Sequence, residues 1–154
     1  MLIVKKFGGT SVANAERVRN AAKKIVAEYD KGNQVVVVLS AQGDTTDELI
    51  EKAKEINPKY SKREMDMLLA TGEQQSVALM AMAIHAMDYP AISLNANQCN
   101  ISATSTYGNA RIKSIDSNRI QAELDKKNIV IITGFQGINK YGDITTLGRG
   151  GADT

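Results

Sequence analysis

Two uninterrupted apolar runs limit what this 154-residue chain can fold into. Residues 35–39 are four valines and a leucine, and residues 129–132 are three isoleucines and a valine. Neither run alternates with polar residues, which is typical of a strand buried on both faces of a parallel sheet. Each run therefore predicts a central strand with packed layers above and below it.

Helical patterns separate the predicted strands. Apolar residues at spacings of three and four predict an amphipathic helix from Ala13 to Asp30, and further helices are predicted over 46–56, 61–87 and 116–127. We expect the 61–87 stretch to divide at Thr71-Gly72, with a buried second half that contains His85 as a core residue. Short strands are predicted over 2–4, 90–94 and 144–147, and small strands or a hairpin within 95–115. This alternation predicts an α/β fold with a mostly parallel sheet sandwiched by helices.

Loops of glycine and small polar residues follow four of the predicted strands. These loops are residues 8–9, 40–46, 133–137 and 148–154. Ligands of an open parallel sheet bind beyond the carboxyl ends of its strands, so we expect the four loops to meet at one edge. Glycine lets backbone N–H groups approach an anion closely. The sequence therefore predicts a phosphate or nucleotide site at that edge.

The first loop contains a lysine beside its glycines. Lys6 ends a short strand, and Gly8, Gly9 and Thr10 follow before the first helix. The glycines leave room for backbone donors, and Lys6 adds a mobile positive charge. Taken alone, a pair of glycines after a strand is more often just a tight turn. Together with the other loops, we interpret residues 6–10 as a phosphate cradle.

Composition excludes several classes of function. A net charge of +2 and scattered aromatic residues give no basis for nucleic-acid binding, and no apolar stretch approaches the roughly 18–20 residues of a membrane span. One cysteine and one histidine cannot form a zinc cluster, and we interpret Cys99 as a buried residue rather than a nucleophile. The single cysteine and the lack of a signal-peptide pattern predict a cytoplasmic protein.

The remaining chemistry suits phosphoryl transfer. The chain contains no Walker loop, dinucleotide fingerprint, protein-kinase motif set or nucleophile elbow. Lys6 and Arg149 supply cations for a transferred phosphoryl group, and Asp153 can orient the lysine or a metal ion. No histidine is placed to act as a general base. A carboxylate acceptor does not need one, because it is already ionised at pH 7.

Four segments, taken together and in order, resemble aspartate kinases of the amino acid kinase superfamily. They are Lys6-Phe7-Gly8-Gly9-Thr10-Ser11-Val12, Leu39-Ser40-Ala41 with Thr45-Thr46, Leu69-Ala70-Thr71-Gly72-Glu73-Gln74, and Thr145-Thr146-Leu147-Gly148-Arg149-Gly150-Gly151. The resemblance covers the whole chain. It implies phosphorylation of the β-carboxylate of L-aspartate by ATP, with Mg²⁺ carried by the nucleotide. The product, 4-phospho-L-aspartate, begins lysine, threonine and methionine biosynthesis.

The resemblance also implies roles for residues on the phosphate side of the site. Lys6 would stabilise the transferred phosphoryl group, and Asp153 would organise Lys6. Gly8, Gly9 and Thr10 would donate hydrogen bonds to the ATP phosphates. No side chain is implied as a metal ligand.

A second group of residues is implied on the aspartate side. Its members are Ser40, Thr46, Glu73, Arg149, Gly150 and Gly151. Glu73 would face the substrate ammonium, and Arg149 would pair with a substrate carboxylate in a bidentate geometry that lysine matches poorly. Thr45 could replace its neighbour Thr46. Ala152 departs from the family, which usually has serine there, and so removes one hydroxyl from the site.

Length is the larger departure from the family. Aspartate kinases continue with a part that holds adenine and ribose and then with ACT regulatory domains, so residues 1–154 are expected to be the amino-terminal portion of a kinase domain. We expect this portion to be catalytically inactive alone, and the family suggests a homodimer. Two alternatives stay open: another superfamily member, such as an acetylglutamate or uridylate kinase, and a non-catalytic assembly module.

Overall fold

The computed structural model describes residues 1–148. Its helices are α1 (Ala15–Asp30), α2 (Thr45–Ile56), α3 (Lys62–Ala86) and α4 (Asn118–Asp125), and a short 3-10 helix covers Gly9–Val12. Its strands are β1 (Leu2–Phe7), β2 (Gln34–Leu39), β3 (Ala91–Leu94), β4 (Ile101–Ala103), β5 (Ile112–Ile115), β6 (Ile129–Thr133), β7 (Gln136–Ile138) and β8 (Ile144–Thr146). The mixture of strands and helices confirms the predicted α/β class.

A four-stranded parallel sheet in the order β1-β2-β6-β3 forms the centre of the fold. The two apolar runs are its inner strands, β2 and β6, as predicted. Val35, Val37 and Ile131 belong to the core shared with α1 and α3. Val36 and Val130 belong to a second core on the other face, which includes Leu124 and Cys99. Both faces of the inner strands are thus covered, which explains why neither run carries polar residues.

The last predicted strand lies in a second sheet rather than at the edge of the first. This sheet has the order β5-β4-β7-β8, and β8 runs antiparallel to β7. Only five residues, 139–143, connect the two strands, whereas a parallel crossover needs about a dozen or more. The prediction that all four loops follow strands of one sheet is therefore wrong for β8, and residues 149–154 of the loop after it lie outside the described residues. The strands β4 and β5 do form the expected antiparallel pair.

The helix α3 is continuous, so the predicted division at Thr71-Gly72 is wrong. One helical glycine costs only about 1 kcal/mol, and the packing of this helix outweighs it. A Cβ built on Gly72 would lie 2.9 Å from Cβ of Ala41, so the glycine permits a close approach to the loop after β2. Gly72 therefore allows a close contact between α3 and this loop and does not end the helix.

The second half of α3 is also less buried than its composition predicts. Met80 and Ile84 are buried, but Met82 is 62% exposed and His85 is exposed, with Nε2 lying 2.8 Å from the carbonyl oxygen of Ala91. The helix belongs to an outer layer beside α1, so only part of its circumference faces the core. In residues 1–148 no helix is long and apolar enough to cross a membrane.

Candidate functional site

The carboxyl ends of β1, β2 and β6 lie side by side. Phe7 is opposite Leu39, and Leu39 is opposite Thr133 in the parallel register. Backbone hydrogen bonds continue the pairing into the loops: Ser40 N donates to Phe7 O at 3.3 Å, and Gly134 N donates to Leu39 O at 2.9 Å. Three of the four sequence-predicted loops therefore converge at one edge of the parallel sheet.

Two positions without side chains hold these loops close to each other and to α3. A Cβ built on Gly9 would lie 2.8 Å from Ala41 O, and the Gly9 carbonyl accepts a hydrogen bond from Gly43 N at 2.9 Å. Gly72 meets Ala41 from the helix side, with the Thr45 methyl also nearby. The loop after β2 is thus enclosed between the glycine turn after β1 and the middle of α3.

Glu73 is the buried acid of this region, with 4% of its surface exposed. Gln136 donates through Nε2 to Glu73 Oε1 at 3.3 Å and to Ala70 O at 3.3 Å. Burial raises the pKa of Glu73 to about 7, and the Gln136 hydrogen bond opposes this increase. A buried carboxylate with a raised pKa gains stability from a nearby cation, so Glu73 is suited to a positively charged group of a ligand.

Sequence reasoning missed Gln136. The glycines of loop 133–137 mark it as a candidate site loop, but no sequence pattern singles out a glutamine within it. Its contact with Glu73 spans 63 positions along the chain and depends on the turn at Gly134-Phe135, where Phe135 has a positive φ of 67°. Non-glycine residues seldom adopt this conformation, and such outliers concentrate at functional sites.

Two buried hydroxyls, close in sequence to Glu73 and Gln136, have no hydrogen-bond partner in the part of the chain that the structure describes. They are Ser76 Oγ, one turn after Glu73 on α3, and Thr133 Oγ1, at the end of β6. Buried polar atoms are normally paired with protein or with ordered water. Each of these hydroxyls is therefore open to a hydrogen bond with a water molecule or a bound group.

The predicted phosphate-side residues lie on β1 and the turn that follows it. Lys6 pairs with Val38 in the sheet register and is exposed. It shares the face of Val4 and Val38, which line a mainly apolar cleft of about 220 Å³ between the two sheets. Gly8 and Thr10 are exposed, so both can reach a ligand.

The turn after β1 differs in one respect from the predicted cradle. A 3-10 helix, Gly9–Val12, begins at the second glycine, and α1 begins only at Ala15 with the Asn14 side chain as its N-cap. The dipole of the first long helix is therefore not directly behind Gly8-Gly9, and the backbone donors of the turn itself remain as the anion-binding groups.

Ser40 and Thr46, predicted on the aspartate side, lie on the loop after β2 and the first turn of α2. Both are half-buried. The adjacent Thr45 directs its methyl group at Gly72, where a built Cβ would lie 3.5 Å from Thr45 Cγ2. This packing favours Thr46 over Thr45 as the hydroxyl open to a ligand.

The remaining predicted site residues, Arg149, Gly150, Gly151 and Asp153, lie outside the described residues, as does Ala152. Gly148 is the last residue described, and its N–H donates to Ala110 O at 3.0 Å. Across residues 1–148, no three acidic, histidine or cysteine side chains come together as metal ligands.

Residues 1–154 match the model of the Amino acid kinase family along their whole length. The chain belongs to the amino acid kinase family. Within it, the chain is 56% identical over 153 residues to an aspartokinase from Geobacillus stearothermophilus and 53% identical to aspartokinase 2 from Bacillus subtilis, matching 99% of this chain and 38% of each relative. It therefore spans less than two fifths of the length of these curated relatives.

Solved structures of amino acid kinases agree with the fold. The aspartate kinase from Synechocystis superposes with a TM-score of 0.84 at 43% identity, over 100% of this chain and 25% of that one. Aspartokinase III from E. coli superposes with a TM-score of 0.80 at 24% identity, over 99% of this chain and 45% of that one. These likenesses agree with the resemblance inferred from the four motifs.

Proposed function

We propose that this chain forms the aspartate-binding part of an ATP-dependent aspartate kinase. The reaction transfers the γ-phosphoryl group of ATP to the β-carboxylate of L-aspartate and gives 4-phospho-L-aspartate, the first intermediate of lysine, threonine and methionine biosynthesis. The observation that carries the proposal is Glu73, a buried acid beside the converging loops after β1, β2 and β6. Support comes from the aspartokinases that the chain resembles at 52–56% identity.

Glu73 would bind the ammonium group of aspartate in its ionised form. Ser40 and Thr46 would line the same pocket, and Arg149 with Gly150 and Gly151 would hold a substrate carboxylate. A solved relative of the same fold, E. coli aspartokinase III, contains aspartate and ADP. Aspartate would thus be held through its ammonium and one carboxylate, leaving its β-carboxylate directed toward the nucleotide.

Lys6 and the turn after β1 would act on the phosphates. An oxygen of the β-carboxylate forms a bond to the γ-phosphorus while the bond from that phosphorus to the β,γ-bridging oxygen breaks, and ADP leaves. No proton is removed from the acceptor, so the site needs charge stabilisation rather than a general base. Lys6 would supply it with the N–H groups of Gly8, Gly9 and Thr10, and Asp153 would orient Lys6.

Mg²⁺ would enter with the nucleotide phosphates. The described residues offer a lysine and backbone donors at the turn after β1 rather than a cluster of acids, which suits phosphate oxygens and not a protein-held cation. When bound, Mg²⁺ would neutralise charge on the phosphates. The binding of the nucleotide is proposed with the remainder of the kinase present, and we propose a cytoplasmic homodimer for the whole enzyme.

Titration calorimetry of the chain with L-aspartate tests the proposal. We expect binding that weakens at least about tenfold in Glu73→Gln, because the ammonium loses its ionic partner. Glu51→Gln is the matched control, since Glu51 is an exposed acid on α2, and it should bind as the wild type does. A chain that binds neither aspartate nor ATP would support the assembly-module alternative. Tighter binding of acetylglutamate or UMP would favour the other superfamily members.

The activity of the isolated chain is a separate question. A coupled assay with ATP, Mg²⁺ and aspartate should show no turnover by residues 1–154, because the proposed nucleotide part of the enzyme is not among them. Turnover would contradict the expected inactivity while supporting the proposed reaction.

A further inference from the structure

Asp66 is a second buried acid on α3, with 1% of its surface exposed. Its Oδ1 accepts a hydrogen bond from the Thr146 hydroxyl at 2.7 Å, and its Oδ2 accepts from Thr146 N at 3.1 Å and from Gly108 N at 2.9 Å. None of these donors belongs to α3. One carboxylate therefore joins the helix to the end of β8 and to the loop before β5.

The two segments held by Asp66 are also bonded to each other. Ala110 N donates to Thr146 O at 3.0 Å, and Gly148 N donates to Ala110 O at 3.0 Å. On the opposite side, Leu147 N donates to Phe135 O at 2.9 Å. The chain that leaves β8 is thus held by hydrogen bonds to Ala110, to Phe135 and to Asp66. Asp66 is the side chain that connects these segments to α3.

Asp66 and Glu73 lie seven residues apart on the same unbroken helix. Seven residues are close to two full turns, so both carboxylates lie on one face of α3 with about 10 Å of rise between them. Arg149 is the third residue after Thr146 in the sequence.

We infer that Asp66 is a positioning residue, which holds the end of β8 against the face of α3 that carries Glu73 and thereby affects how the proposed site binds aspartate. The inference rests on the proposed function, because that function assigns the ammonium group of aspartate to Glu73 and a substrate carboxylate to Arg149. Asp66 itself does not touch substrate. It acts through Thr146, because it accepts hydrogen bonds from both the backbone N–H and the hydroxyl of that residue.

The chemistry of the contact predicts a graded response to substitution. In Asp66→Asn the amide oxygen can still accept from the two backbone N–H groups, and its NH₂ group can donate to the Thr146 hydroxyl, which also accepts. In Asp66→Ala all three bonds are lost, and the N–H and hydroxyl of the buried Thr146 are left without this partner. Asparagine should therefore rescue most of what alanine removes. Glu51→Gln, which changes an exposed acid on α2, is the matched control.

The test measures aspartate affinity and amide hydrogen exchange in the same variants. We expect the Kd for aspartate to rise about tenfold or more in Asp66→Ala and only about twofold to threefold in Asp66→Asn, while Glu51→Gln matches the wild type. The amides of Gly108 and Thr146 should exchange faster in Asp66→Ala than in the wild type. Circular dichroism identifies the variants that remain folded, and Thr146→Val provides a milder second variant.

Each result decides something. A folded Asp66→Ala or Thr146→Val variant whose aspartate affinity is unchanged overturns the positioning role, as does unchanged protection of the Gly108 and Thr146 amides. If the wild type binds no aspartate, the proposed function fails, and the positioning role toward substrate fails with it. Amide exchange still reports whether Asp66 holds β8, so the two failures are distinguishable.

Discussion

Glu73 concentrates the chemistry of the site at the scale of a single residue. Its carboxyl keeps a proton to higher pH in the folded protein than in the unfolded chain, because burial raises its pKa from 4.5 to about 7. Its contribution to stability is therefore fully present below pH 4.5 and is lost as the pH rises through about 7. Between these limits the unfolded chain has released the proton and the folded protein has not.

This titration of Glu73 predicts that the stability of the folded protein depends on pH. The free energy of unfolding of the wild type, relative to Glu73→Gln, should fall by on the order of 3 kcal/mol between acid and mildly alkaline pH. Urea unfolding at a series of pH values measures it. Glu51→Gln, which removes an exposed acid, should retain the slope of the wild type. A difference between wild type and Glu73→Gln that does not vary with pH would contradict the assignment.

At the scale of the element, α3 depends on Gly72 for its position. Replacing a helical glycine by alanine normally stabilises a protein by about 0.5–1 kcal/mol. Here the added methyl would lie 2.9 Å from the Ala41 methyl, and such overpacking costs about 1–3 kcal/mol. The steric term exceeds the propensity term. We therefore expect Gly72→Ala to destabilise the chain, as measured by the urea midpoint.

Thr71→Ala is the matched control for this helix. Thr71 is exposed and its hydroxyl donates only to Leu68 O in the preceding turn. Its replacement should change the free energy of unfolding by less than about 0.5 kcal/mol. A Gly72→Ala variant as stable as Thr71→Ala would contradict the prediction, because it would show that the loop after β2 can move to accommodate the added methyl group.

At the scale of the whole molecule, a polar cluster fastens the second sheet to the first turn of α3. Arg63 donates to both carboxylate oxygens of Asp143, at 3.1 and 2.9 Å, and Tyr107 donates to Asp143 at 2.7 Å. The Arg63 hydrogen bond, followed by that of Tyr107, lowers the pKa of Asp143. The stability from this pairing is present above the usual carboxyl pKa of 3.8 and is lost as the pH falls through the lowered value.

A double-mutant cycle on Arg63→Ala and Asp143→Ala measures this connection. We expect a favourable coupling at pH 7 that declines in acid, because protonated Asp143 no longer accepts the bidentate pair. The Lys31–Glu28 pair, an i,i+3 contact within one short segment, should show less coupling. Equal coupling in the two pairs, or a coupling between Arg63 and Asp143 that persists in acid, would contradict the prediction.

The sequence predicted the central sheet well because burial leaves a strong pattern there. Exposing Val35, Val37 and Ile131 to water would cost too much free energy in any arrangement of the strands. The inner position of their strands could therefore be predicted from residue type alone. The second sheet was harder to predict. Its strands are three or four residues long, and short apolar pieces give little periodicity with which to choose a partner.

The candidate site divides in the same way. Gly9 and Lys6 stand in a recognisable motif, whereas Gln136 and Asp66 are ordinary polar residues until the fold brings their partners to them. The Gln136–Glu73 contact spans 63 positions and the Asp66–Thr146 contact spans 80. A polar residue in a loop or on a helix is most often solvated. Only tertiary structure distinguishes these two from that majority.

The continuity of α3 has a consequence for how the protein can vary. Arg63, Asp66, Gly72 and Glu73 each contact a different segment, yet all four belong to one helix. The spacing between the parallel sheet and the smaller one is therefore specified by helical pitch and not by the length of any connecting loop. Insertions in surface loops such as 57–61 can accumulate without altering that spacing, whereas the deletion of one residue between Asp66 and Glu73 would rotate one carboxylate by about 100° away from the other.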